Sequence, residues 1–115
     1  MISPPSVEVR ANAGICVASL AGDFDLVSTK TIRPEALASV GGSGALILDL
    51  SAVTFLDSTG LRLVFSTQRR LARRGRRLAV VLPRDERVRQ IFAMIDAADA
   101  LELFESVEDA LASCR

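Results

Sequence analysis

Asp49-Leu50-Ser51-Ala52-Val53-Thr54-Phe55-Leu56-Asp57-Ser58-Thr59-Gly60-Leu61 is the stretch that decides the fold. It closes a continuous apolar run, Ala45 to Leu50, which is the pattern of a parallel strand buried on both faces. On its other side Leu61, Val64, Phe65, Leu71 and Ala72 recur at helical spacing until Gly75 supplies a stop. The segment is therefore a strand, a short loop and a helix from Ser58 to about Arg74, with Ser58 in the N-cap position.

Upstream, Val7, Val9 and Ala11 and then Ile15, Val17 and Ser19 alternate around Asn12-Ala13-Gly14, which predicts a β-hairpin. A helical stretch from about Ser28 to Val40 follows, and Pro34 within it should kink or restart the helix because it lacks a backbone donor. Gly41-Gly42-Ser43-Gly44 is a loop. Downstream, Leu78 to Leu82 reads as a second buried strand ended by Pro83. A third helix, roughly Asp85 to Ala97, places Val88, Ile91, Phe92 and Ile95 on one face. A short strand near Leu101 to Phe104 leads to Ser106-Val107-Glu108-Asp109, a capping-box-like start for a last helix ending at Ser113. The fold class is α/β: one domain over residues 1–115, with a mixed, mostly parallel sheet, an N-terminal antiparallel hairpin and about four helices.

Composition excludes much chemistry. The chain has 115 residues, half of them apolar, with 14 basic and 14 acidic side chains, so it has a core and no net charge that calls for a polyanionic partner. It has no His, Tyr or Trp, hence no imidazole base and no His-based metal site. No apolar stretch approaches the roughly 20 residues of a membrane-spanning helix. Met1 to Ser6 holds two prolines and no basic residue, unlike a secretory signal, so a cytoplasmic location is expected. Cys16 and Cys114 are then expected to stay reduced.

Leu20-Ala21-Gly22-Asp23-Phe24-Asp25 and Asp57-Ser58-Thr59-Gly60-Leu61 together resemble the STAS family, and within it the bacterial anti-sigma-factor antagonists. That family carries a Gly-acid-apolar-Asp turn after its second strand and an Asp-Ser-Ser/Thr-Gly-Leu turn before its second helix. The resemblance covers roughly Val7 to Ala112, the expected core of a STAS fold. Thr59 departs from a common second Ser, and Pro34 falls inside the usual first helix. The resemblance implies a non-enzymatic binding switch with no cofactor of its own. Ser58 is then the residue phosphorylated by a partner that is both anti-sigma factor and serine kinase, which brings ATP and Mg²⁺, and a serine phosphatase resets the cycle. Asp23, Asp25, Asp57, Ser58, Thr59 and Gly60 are the expected partner-binding residues. An accessory STAS subunit of a transporter or stress-sensing assembly, without a phosphorylation cycle, is the alternative.

The residues themselves carry plainer readings beside these. Ser58 at a helix N-terminus, next to free N–H groups, is a place that tolerates a phosphate, and it is equally an ordinary N-cap. Asp57 is a poor activator of a serine hydroxyl without an imidazole or lysine, and it also reads as a turn aspartate; Asp25 reads as a possible cap of the first helix. Asp23 and Asp25, separated by Phe24 in a turn, are not arranged for acid/base work. Leu63 falls off the stripe of Leu61, Val64 and Phe65, so it is expected to be partly exposed near Thr59 as an apolar anchor for a partner. Arg69, Arg70, Arg73, Arg74, Arg76 and Arg77 crowd the helix end. With no interleaved aromatics they read as solvated cations opposing the helix dipole rather than as a nucleic-acid patch. The acidic residues of the tail, Asp96, Asp99, Glu102, Glu105, Glu108 and Asp109, are expected to neutralise them in part.

Overall fold

A computed structural model describes residues 4–12, 14–26, 28–41, 44–94 and 101–114. Its strands are β1 (Ser6–Asn12), β2 (Ile15–Phe24), β3 (Leu46–Leu56), β4 (Leu78–Val81) and β5 (Glu102–Phe104). Its helices are α1 (Pro34–Ala38), α2 (Ser58–Arg73), α3 (Glu86–Met94) and α4 (Val107–Cys114), with a 3-10 turn at Ser28–Thr31. The sheet runs β1-β2-β3-β4-β5, with β1 antiparallel to β2 and every later pair parallel. Both apolar runs are central strands, as expected, because a strand with apolar side chains on both faces must be covered on both.

Strand periodicity sorts these side chains into two cores. Ala18, Leu46, Leu48, Leu78 and Val80 face one way and join Leu37, Leu63, Val64, Leu71, Val88 and Phe92 from α1, α2 and α3. Val17, Ile47, Ala79 and Val81 face the other way and meet Ala110 and Leu111 of α4. Three helices cover one face and one covers the other.

Two boundaries differ from the sequence reading. The strand expected to end at Leu50 continues to Leu56, so Ser51 to Leu56 is strand rather than loop. It does so because β2 offers a partner along its whole length, from Cys16↔Leu46 to Phe24↔Leu56, through register shifts at Ser19/Ala21 and Gly22/Asp23. The helix expected over Ser28 to Val40 is a 3-10 turn followed by α1, with Pro34 in the first turn of α1, where its missing N–H costs nothing. The third helix is described only to Met94, and its expected end, with Ile95, Asp96 and Asp99, lies outside the described residues. The last helix starts as expected, the Ser106 hydroxyl accepting from Asp109 N at 3.1 Å. Among the described residues no helix is long and apolar enough to cross a membrane.

Candidate functional site

The two sequence motifs meet at the carboxyl ends of β2 and β3, where Asp23 pairs with Phe55 and Phe24 with Leu56. Asp57 joins them. Its Oδ1 accepts from Thr59 N at 2.9 Å and Gly60 N at 3.1 Å, and its Oδ2 accepts from Leu26 N at 3.1 Å. Its own N–H donates to the Phe24 carbonyl at 3.3 Å. One carboxylate thus caps α2 and holds the turn after β2 against it, satisfying two of the donors that a helix start leaves open.

This corrects the expectation for Ser58. Asp57 is the N-cap, and Ser58 is the first residue of α2, exposed, its hydroxyl without a hydrogen bond among the described residues. A serine with no structural bond to lose is available for modification. The surrounding N–H groups, however, are less free than the sequence suggested, because Asp57 has taken two of them.

Gly60 is buried rather than displayed. A Cβ there would lie 2.4 Å from Leu56 Cδ1 and 2.7 Å from the Phe24 carbonyl oxygen, so only glycine lets α2 approach the strand ends this closely. Leu63 is also buried, 5% exposed and part of the larger core, so it is not the partly exposed side chain expected, although it lines the groove beside Thr59. Its offset from the stripe misled because α2 is covered on more than one side: α1 and the 3-10 turn pack beside it as well as the sheet. The apolar side chains that do stand out by the site are Leu26, 61% exposed, and Phe55, 47% exposed. Neither was singled out from the sequence, since an apolar residue at a strand end is indistinguishable there from core.

Asp23, half-buried on β2, accepts from the Thr54 hydroxyl at 2.6 Å. The Asp25 carbonyl accepts from Thr29 N at 3.0 Å and from the Thr29 hydroxyl at 2.7 Å, which fixes the 3-10 turn against the strand end. Thr59, half-buried, lines a groove of about 150 Å³ with Thr29, Ile32, Pro34, Arg62 and Ser66. The site is therefore a surface of Ser58, Thr59 and Leu26 around the Asp57 hub, while Phe55 lines a separate groove with Asp85, Arg87, Val88 and Ile91.

The arginines are more structural than expected. Arg76 is buried and donates to three carbonyls, Ala38 at 2.7 Å, Val40 at 2.6 Å and Gly44 at 2.7 Å, while Arg74 also donates to Ala38 at 3.1 Å. Arg70 pairs with Glu35, and Arg77 with Glu102. Among the described tail acids, Glu102 pairs with this group and Glu105 pairs with Arg89, while Asp96 and Asp99 lie outside the described residues. Cys16 and Cys114 are both free thiols.

Comparison with known proteins gives the following. The family model for the STAS domain matches residues 6–110. The anti-sigma-F factor antagonist RsfB of Mycobacterium tuberculosis is 29% identical over 119 residues, covering 100% of this chain and 95% of the relative. The crystal structure of an anti-sigma factor antagonist from Mycobacterium paratuberculosis superposes with a TM-score of 0.84 at 28% identity, covering 100% of this chain and 99% of that one. The Bacillus cell fate determinant SpoIIAA in its phosphorylated form superposes with a TM-score of 0.69 at 20% identity, covering 96% of this chain and 100% of that one, a likeness of fold.

Proposed function

The chain belongs to the STAS-domain family, and from that premise we propose that it is an anti-sigma factor antagonist, a binding protein whose hold on its partner is broken by phosphate on Ser58. The relatives matched over their full length are antagonists, which favours this reading over the accessory-subunit one. The observation that carries the Ser58 assignment is its exposed hydroxyl, without a hydrogen bond among the described residues, at the start of a 16-residue helix whose Asp57 cap also holds the exposed Leu26.

In this reading the unmodified protein lays Leu26, Phe55 and the Ser58 turn against an anti-sigma factor in the cytoplasm, and a sigma factor is released. The partner is itself a serine kinase that brings ATP and Mg²⁺ and the base that this site lacks; a serine phosphatase reverses the modification. Phosphate adds about −1.5 to −2 charges at neutral pH. Asp57 already occupies the N–H groups of Thr59 and Gly60, so the phosphate is displayed on the surface rather than absorbed by the helix start. Burying that charge in an interface beside the Asp57 carboxylate costs about 3 to 4 kcal/mol, enough for two to three decades of affinity.

The test is calorimetric titration of wild type, Ser58→Ala and Ser58→Asp against the cognate anti-sigma factor, with circular dichroism on each. Ser58→Ala binds like wild type and takes up no phosphate; Ser58→Asp loses binding with an unchanged spectrum. Tight binding by Ser58→Asp, together with no phosphate on Ser58 after incubation with kinase and ATP, overturns the switch.

A further inference from the structure

β1 is an edge strand, and all seven of its residues are exposed. On its inner side it pairs with β2 from Ser6↔Ala21 to Asn12↔Ile15; among the described residues nothing pairs with its outer side. The pair Asn12↔Ile15 encloses a two-residue turn with Gly14 at φ 83°. The residues closing such a turn hydrogen-bond to each other through the backbone, and the pattern alternates along the hairpin. Arg10, Glu8 and Ser6 therefore turn their N–H and C=O toward β2, and Val7, Val9 and Ala11 present theirs outward.

A flat edge of this length is a template for another strand, and the usual protection is charge on the edge. Here the two charges, Glu8 and Arg10, have opposite signs and flank Val9, itself 49% exposed. A second β1 laid antiparallel about Val9 sets Glu8 opposite Arg10 twice, Val9 on Val9, and Val7 on Ala11. Other registers fail. Centring on Glu8 or Arg10 opposes like charges, which is unfavourable. Centring on Val7 brings Pro5, which has no N–H, opposite Val9, and centring on Ala11 runs Val9 into the hairpin turn. We infer that a second copy of this chain docks on β1 in the Val9-centred register, joining the two sheets across a two-fold axis. Arg10 gives one N–H to the Ser19 hydroxyl at 3.0 Å and keeps other donors for the partner's carboxylate.

The interface is small, so its dissociation constant belongs in the range of about 1 to 100 µM. Sedimentation equilibrium of the full chain as a function of concentration tests this. Wild type shifts from monomer to dimer across that range. Val9→Pro removes only an outward N–H, so it keeps the hairpin and its circular dichroism spectrum while staying monomeric. Glu8→Arg and Arg10→Glu each weaken self-association at least tenfold, and an equimolar mixture of the two associates again, because only then does each charge meet its opposite. A wild-type monomer up to about 1 mM, a Val9→Pro dimer as tight as wild type, or a mixture no tighter than its components overturns the proposal.

Discussion

Ser58 and Asp57 stand side by side, and the structure separates what each does. Ser58→Ala removes a hydroxyl that has no hydrogen bond among the described residues, so stability should change by no more than about 0.5 kcal/mol. Asp57→Ala removes the cap of α2 and leaves the Leu26 N–H without its acceptor, a loss of about 1 to 3 kcal/mol. Urea unfolding of the pair checks this directly, and the opposite order would make Ser58 the cap after all. Gly60→Ala should cost about 3 kcal/mol or more, since one of the atoms its Cβ meets is backbone and has no room to retreat. At this scale the sequence marked the right segment but not the division of labour within it. Asp and Ser are equally good caps, and which one reaches the N–H groups depends on where the helix begins, a boundary that β3 sets by running on to Leu56.

α1 is five residues long, too short to hold itself together, and Arg76 ties down its carboxyl end. The guanidinium fork takes the carbonyls of Ala38, Val40 and Gly44 at once, so the connection between α2 and β4 is tied to the backbone between α1 and β3. Arg76→Met should cost about 2 to 4 kcal/mol in urea unfolding, because it strips a buried, charge-assisted donor from three carbonyls, of which Ala38 alone keeps a second arginine donor, Arg74, among the described residues. Arg76→Lys should recover only part of that, lacking the planar fork. No local pattern picks Arg76 from its neighbours: six arginines crowd the same stretch, and only long-range packing buries one of them. The same limit explains β3. Ser51 and Ala52 interrupt the apolar run and look like the start of a loop, whereas the ladder resumes past the register shift with Ala21↔Ala52 and Gly22↔Val53 and carries the strand on. Features written in local pattern were legible, as with the hairpin turn, the buried runs, the Pro34 restart and the Ser106 cap. Those depending on a partner 30 or more residues away, such as the Leu26–Asp57 bond and the burial of Leu63, were not.

For the molecule as a whole, the acid limit of stability follows from two ion pairs that fasten its C-terminal part. Arg77, at the entry to β4, donates to Glu102 of β5, with Nε to Oε2 at 3.0 Å, and to the Ser113 carbonyl of α4 at 3.0 Å. Arg89 of α3 holds Glu105 beyond β5. The hydrogen bond from Arg77 depresses the Glu102 carboxyl below its ordinary value of 4.5, and that from Arg89 does the same for Glu105. A carboxyl whose folded value lies below its unfolded one binds fewer protons when folded. Its contribution is therefore complete above the unfolded value and is lost as pH falls through the folded one. The urea midpoint should accordingly be insensitive to these two groups from neutrality down to about pH 5 and drop below that. Both pairs are largely exposed, so the effect is modest and should shrink further in high salt. The control is Glu102→Gln/Glu105→Gln, which lowers the midpoint slightly at pH 7 and shows a shallower fall between pH 5 and 3 than wild type. If the two proteins lose stability in parallel over that interval, the acid limit is set by other carboxylates. If they converge as the pH falls, these pairs carry the difference, and hydrogen exchange should find the β5 and α4 amides losing protection over the same interval, since Arg77 joins both elements to the entry of β4.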